Sequence, residues 1–185
     1  MNAAAHVREE NTMRCARFAM DLTVVSALFL LMTLTSPVSA DVSAGDKAPD
    51  FQLGNVNGSD VVKLSNYTTK PTLLVFWVSW CSHCQEEVPV LDKVYKDLKS
   101  KGLNVLGVSM DDKIGDAREF VKEYNVSFPS GFAGTDDGHA MTSVYGVKGV
   151  PMMYVIDKGG VVKAIHVGET DPGTIRKEFA DLGVK

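Results

Sequence analysis

The 185-residue chain predicts an α/β sandwich around a mixed sheet. Three observations carry that expectation. Strand-like and helix-like apolar patterns alternate between residues 51 and 183. The run at 72–78, Thr-Leu-Leu-Val-Phe-Trp-Val, is hydrophobic on both faces, as a strand covered by helices on both sides must be. Asp157-Lys158-Gly159-Gly160 lies between two β-rich stretches and reads as a hairpin turn, so part of the sheet is antiparallel.

The elements follow in order. Residues 41–50 read as a flexible lead, and residues 51–64 as two short extended pieces around a turn at Asn57-Gly58. After the buried strand, a helix over 82–100 carries Val88, Leu91, Val94, Tyr95 and Leu98 on one face and stops at Gly102; Pro89 should kink it. Residues 103–110 form a second core strand, and Ile114, Ala117, Phe120, Val121 and Tyr124 make the stripe of another helix. The Gly/Ser/Phe-rich stretch 126–136 is irregular or a short strand, and a short helical segment runs through Met141 and Val144. Strands at 152–156 and 161–167 flank the hairpin turn. The last helix opens at Asp171 with Pro172 in its first turn, turns Ile175, Phe179 and Leu182 inward, and ends at Gly183.

Residues 1–40 read as a signal peptide rather than as fold. Arg14 and Arg17 precede an apolar stretch at 22–34, and Pro37-Val38-Ser39-Ala40 offers the small residues that a signal peptidase needs. The expected cut follows Ala40; an uncleaved membrane anchor is the alternative, although the stretch is short for a span. Cys15 lies before the apolar stretch and would leave with the peptide. The remainder, 41–185, is long enough for one domain with its own core. It carries 16 Lys+Arg against 20 Asp+Glu, a mild acidity that gives no reason to expect nucleic acid as a partner. Export places its two cysteines where disulfides persist, which suits handling the disulfides of other exported proteins.

The chemistry is concentrated in Trp80-Cys81-Ser82-His83-Cys84, directly after the buried strand. Two cysteines separated by two residues at a strand-to-helix junction put the first sulfur at a helix N-terminus, where unpaired N–H groups and the helix dipole favour a thiolate. The second sulfur is one turn along. A structural disulfide closing so short a loop would be a poor staple. A zinc site needs four ligands, and the histidines His6, His83, His139 and His166 show no ligand spacing, so no metal site and no cofactor is expected.

Gly45-Asp46-Lys47-Ala48-Pro49-Asp50-Phe51, Leu64-Ser65-Asn66-Tyr67, the cysteine motif with its strand, Glu87-Val88-Pro89 and Gly149-Val150-Pro151 together resemble the TlpA/ResA-like branch of the thioredoxin superfamily. The resemblance covers residues 45–183. It implies a thioredoxin fold with an N-terminal hairpin and a central strand-helix insertion at about 115–140, and a cis Val150-Pro151 bond packed against the cysteine pair. It also implies roles. Cys81 would attack a substrate disulfide, Cys84 would resolve the mixed disulfide, and Glu87 would manage the Cys84 proton. Trp80, Val150 and Pro151 would border the substrate, with the Val150 backbone free to pair with an extended segment. Ser82 and His83 would tune the redox potential, His83 by stabilising the Cys81 thiolate. Met141, Met152 and Met153 read as core residues or as an adaptable apolar rim.

Departures from the family pattern qualify the direction of electron flow. Val75 stands where thioredoxins proper carry a buried acid, which leaves Glu87 as the only nearby candidate for that task. His83 replaces a common proline and gives the motif a resemblance to oxidising DsbA-type proteins. The leading expectation is an exported reductant of disulfides in other exported proteins, cytochrome c precursors among them, served by a membrane-bound electron donor. The alternatives are a DsbA-like oxidant or isomerase, a copper chaperone, and a peroxiredoxin. For the last, Leu74 and Val78 occupy the Pro and Thr positions of the Pro-x-x-x-Thr-x-x-Cys site.

Overall fold

The computed structural model describes residues 41–185. Residues 1–40, read above as a signal peptide and including Cys15 and His6, lie outside the described residues. The elements are β1 (Gln52–Asn55), β2 (Val61–Lys63), α1 (Leu64–Tyr67), β3 (Thr72–Trp77), α2 (Ser82–Leu98), a 3-10 turn (Lys99–Lys101), β4 (Asn104–Ser109), α3 (Ile114–Glu123), β5 (Ser130–Phe132), α4 (Asp136–Val144), β6 (Met152–Ile156), β7 (Val162–Val167) and α5 (Pro172–Asp181). They build one seven-stranded sheet in the order β2-β1-β5-β4-β3-β6-β7. Strands β3, β4 and β5 run parallel; the other pairings are antiparallel.

β3 sits centrally and is buried along its whole length. Its side chains alternate between the two faces: Leu73, Val75 and Trp77 join one core, Leu74 and Phe76 the other. The first core receives Val88, Leu91, Val94 and Leu98 of α2, Ala117 and Phe120 of α3, and Ile175 and Phe179 of α5. The second is closed by Leu64 of α1 and by Tyr145, which follows α4. At roughly 1.5–3 kcal/mol for each fully buried aliphatic or aromatic side chain, the α2 stripe outweighs the hydrogen bond that Pro89 forfeits. The helix accordingly continues across Pro89 to Leu98, and the chain turns at Gly102 with φ 107°.

The expected hairpin, both core strands, the Asp157–Gly160 turn and the closing helix are all present. Asp171 caps α5 by accepting the Thr174 N–H. Met152 and Met153 are buried and Met141 packs on the second core, so core packing is the role all three adopt. One expectation needs correcting. Residues 45–48 are not a loose lead: Gly45 and Ala48 donate to Val162 and Gly160 at 2.8 Å each, and the Val162 N–H donates to Asp46 at 2.9 Å. Those bonds cover the start of the edge strand β7.

Candidate active site

Cys81 is the N-cap of α2, in extended conformation, and Cys84 sits one turn inside the helix. Both are free cysteines; Cys81 is partly exposed and Cys84 buried. The two sulfurs therefore differ in environment although they share one helix end. The helix dipole acts on Cys81, the sulfur that solvent and a partner can reach. Burial, the largest effect, pushes the Cys84 thiol up to about 12, with Cys81 and the carboxylate of Asp111 adding to it and a hydrogen bond from the Val78 backbone opposing it.

The bond between Val150 and Pro151 is cis. The Cys81 thiol donates to the Val150 carbonyl at 3.5 Å, which joins the two halves of the expected site across 69 residues of sequence. That carbonyl is thus engaged by Cys81 here, a difference from the expectation that the Val150 backbone is free. Pro151 is buried, and its own carbonyl accepts the Gly168 N–H at 2.8 Å. Trp80 stands on the surface with 76% of its area exposed. It borders a groove of about 330 Å³ lined also by Ser79, Gln85, Glu119, Phe120 and Tyr124.

Glu87 lies on the buried face of α2, at 4% exposure, with Oε1 lacking a hydrogen-bond partner. Burial holds its carboxyl above the usual range; the Thr170 N–H works against that shift, Glu169 reinforces it, and His166 opposes it. Glu86, one residue earlier, is solvated as expected. Ser82 and His83 are exposed. The His83 imidazole pairs with Glu169 through Nδ1 at 2.5 Å, and that contact raises its pKa. In sequence His83 lies beside Cys81, whereas its partner in the fold, Glu169, is 86 positions away.

Asp111 was missed, and it corrects the reading of Glu87 as the only acid near the pair. It is 1% exposed, two residues past the end of β4, and bonded to Ser79. The usable signal was its position, since functional groups of α/β sheets gather beyond the carboxyl ends of parallel strands.

Residues 44–165 match the model of the AhpC/TSA family. The thiol-disulfide oxidoreductase ResA of Bacillus thuringiensis subsp. konkukian is 31% identical over 118 residues, 64% of this chain and 66% of that protein, just under two thirds of its length. ResA of another Bacillus thuringiensis strain is 30% identical over 125 residues, covering 68% of this chain and 70% of the relative. Among solved structures, a Chlorobium tepidum protein described as a thiol:disulfide interchange protein DsbE superimposes with a TM-score of 0.70 at 35% identity, over 77% of this chain and 99% of that one. With a cysteine pair at the mouth of a helix, a cis-proline against it and these relatives, the chain belongs to the AhpC/TSA family of the thioredoxin superfamily, in its ResA-like branch.

Proposed function

We propose that this protein is an exported thiol-disulfide oxidoreductase that reduces disulfides in other exported proteins, cytochrome c precursors among them, and is re-reduced by a membrane-bound donor. The observation that carries the chemistry is the asymmetry of the pair: a reachable sulfur at the helix mouth and a buried, strongly basic one behind it. The Cys81 thiolate attacks one sulfur of a substrate disulfide and expels the other as a thiolate. Cys84 then gives up its proton, with Glu87 as the acceptor, and attacks Cys81. A Cys81–Cys84 disulfide forms and the second substrate sulfur leaves, so two electrons pass to the substrate.

The reducing direction has its own support. A dithiol becomes a strong oxidant when its thiolate form is stabilised. Burial of Cys84 stabilises no thiolate, so the buried sulfur gives no push toward the oxidising end. The opposing influence is the His83 charge, but its side chain is 68% exposed and paired with Glu169, so solvent and salt screen it. Neither the buried sulfur nor the screened imidazole therefore stabilises a thiolate strongly. Export rests on the leader-like pattern of residues 1–40.

The division of labour is tested by trapping. Cys84→Ser should accumulate covalent complexes with substrate proteins, because release is lost, whereas Cys81→Ser should trap almost none. Equal trapping by both would overturn the assignment. Direction is tested by equilibrating the wild-type pair with glutathione buffers. The potential should fall nearer to the about −270 mV of thioredoxin than to the about −120 mV of DsbA, and a value at the DsbA end would make the protein an oxidant.

A further inference from the structure

Between Trp77 and Cys81 the chain makes a short turn that carries Ser79 and Trp80. Ser79 is held from two sides. Its N–H and its hydroxyl both donate to Asp111 Oδ1, at 2.9 and 2.7 Å. Its carbonyl accepts the Gln85 side-chain amide at 2.8 Å. The turn is thereby clamped to the end of β4 and to the first turns of α2. The other carboxylate oxygen of Asp111 accepts the Ser109 hydroxyl at 2.8 Å. Asp111 is itself backed by a close approach of main chain: a Cβ built on Gly134 would lie 2.3 Å from the Asp111 carbonyl oxygen. Three donors on a buried carboxylate, with backbone packed behind it, leave the group little freedom to move. An asparagine could still accept from Ser79, though more weakly than a carboxylate, and a buried charge costs far more than a buried amide, so the charge invites an explanation beyond holding the turn.

We infer that Asp111 is a positioning residue for thiol-disulfide exchange, fixing the Ser79-Trp80 turn that presents Cys81 and keeping a negative charge on the Cys84 side of the pair. The inference rests on the function proposed above. Asp111 is among the groups that hold the Cys84 thiol up, behind burial and Cys81. Its charge adds to the burial that keeps Cys84 protonated while Cys81 attacks, and the Cys84 proton passes to Glu87 when Cys84 attacks the mixed disulfide. At that point the Sγ–Sγ bond between Cys84 and Cys81 forms, the bond from Cys81 to the substrate breaks, and the substrate sulfur departs with the electron pair.

Two variants separate the two parts of this role. Asp111→Asn retains an acceptor for Ser79 and removes the charge; Asp111→Ala removes both. Attack by full-length protein on insulin disulfides should slow about tenfold or more in Asp111→Ala, since small misplacements of a nucleophile are costly. Asp111→Asn should recover most of that loss. The Cys84 titration, followed by its ¹³Cβ chemical shift in a Cys81→Ser background, should move to lower pH in Asp111→Asn. An unmoved or upward Cys84 titration, or undiminished attack by Asp111→Ala, overturns the inference. Should either variant show no cooperative unfolding transition, Ser79→Ala and Ser109→Ala decide the matter. Each removes one of the three donors that fix the carboxylate, so attack on insulin must slow, and undiminished attack by both is fatal to the proposal. A wild-type protein that fails to reduce insulin defeats the proposed function instead, and the titration still judges Asp111.

Discussion

Glu87 occupies a place where a carboxylate is disfavoured, in the wall of the core with one oxygen unpartnered. Because its pKa in the fold lies above the reference 4.5, the stability that its protonated form preserves is fully present below that value. It is lost as pH rises through the raised value, where the buried group must ionise. Glu87→Gln should therefore melt at a higher temperature than wild type at pH 8, with the two curves converging toward pH 4.5. The same change should slow turnover by about a hundredfold, as removal of a general acid or base does, and alter its pH profile. Equal melting temperatures across that range, with unchanged turnover, would make Glu87 a spectator. The position was legible: residues 84, 87, 88, 91, 94 and 98 share one helical face, so a carboxyl at 87 had to point where Cys84 points. Asp111 and Glu169 were not legible in the same way. Their partners Ser79 and His83 lie 32 and 86 positions distant, and only the folded sheet brings them together.

Among the elements, those with a long period were read outright, and those defined by a neighbour stayed open between a strand and an irregular stretch. α2 and α3 announce themselves through apolar residues at three- and four-residue spacing, and their buried faces are the ones the pattern named. Strand β5 has only Ser130, Gly131 and Phe132, too few for any period. It is a strand because it fills the space between β4 and β1, and Gly131 is needed there because a Cβ would meet Val62 and Leu53 at 2.7 and 2.9 Å. The link into β5 is fixed by Asp92 of α2, whose carboxylate accepts the Ser127 N–H and hydroxyl at 2.6 and 2.7 Å and also pairs with Lys96. Burial alone would raise that acid, but Lys96 and Ser127 outweigh it and hold it below the usual carboxylate range. On the helical wheel an aspartate within an apolar stripe looks like a flaw; in the fold it is the fastening between α2 and the segment that leads to β5.

At the scale of the whole domain, the site exists because two distant features meet at one end of the sheet. β3 delivers Cys81 to the mouth of α2, and the loop before β6 delivers Val150 and Pro151 against it, with β3 and β6 paired directly. Any looseness between these halves would separate the nucleophile from its platform. The segment 45–50 crosses the junctions that resist such loosening. Beyond its bonds to residues 160 and 162, the Pro49 carbonyl accepts the Tyr145 hydroxyl at 2.6 Å, Asp50 accepts the Ser65 N–H at 2.9 Å, and Ala48 is buried in the second core. At about 0.5–1.5 kcal/mol net for each hydrogen bond, and with the burial added, this strap is worth several kcal/mol. A chain beginning at Phe51 should therefore melt on the order of 10 °C below one beginning at Asp41, given about 2–4 °C per kcal/mol for a domain of this size. Thermal unfolding followed by circular dichroism measures the difference. Coincident melting curves would mean that residues 45–50 merely lie on the sheet, and that the β6 and β7 end of the molecule is held to the cysteine helix by its strands alone.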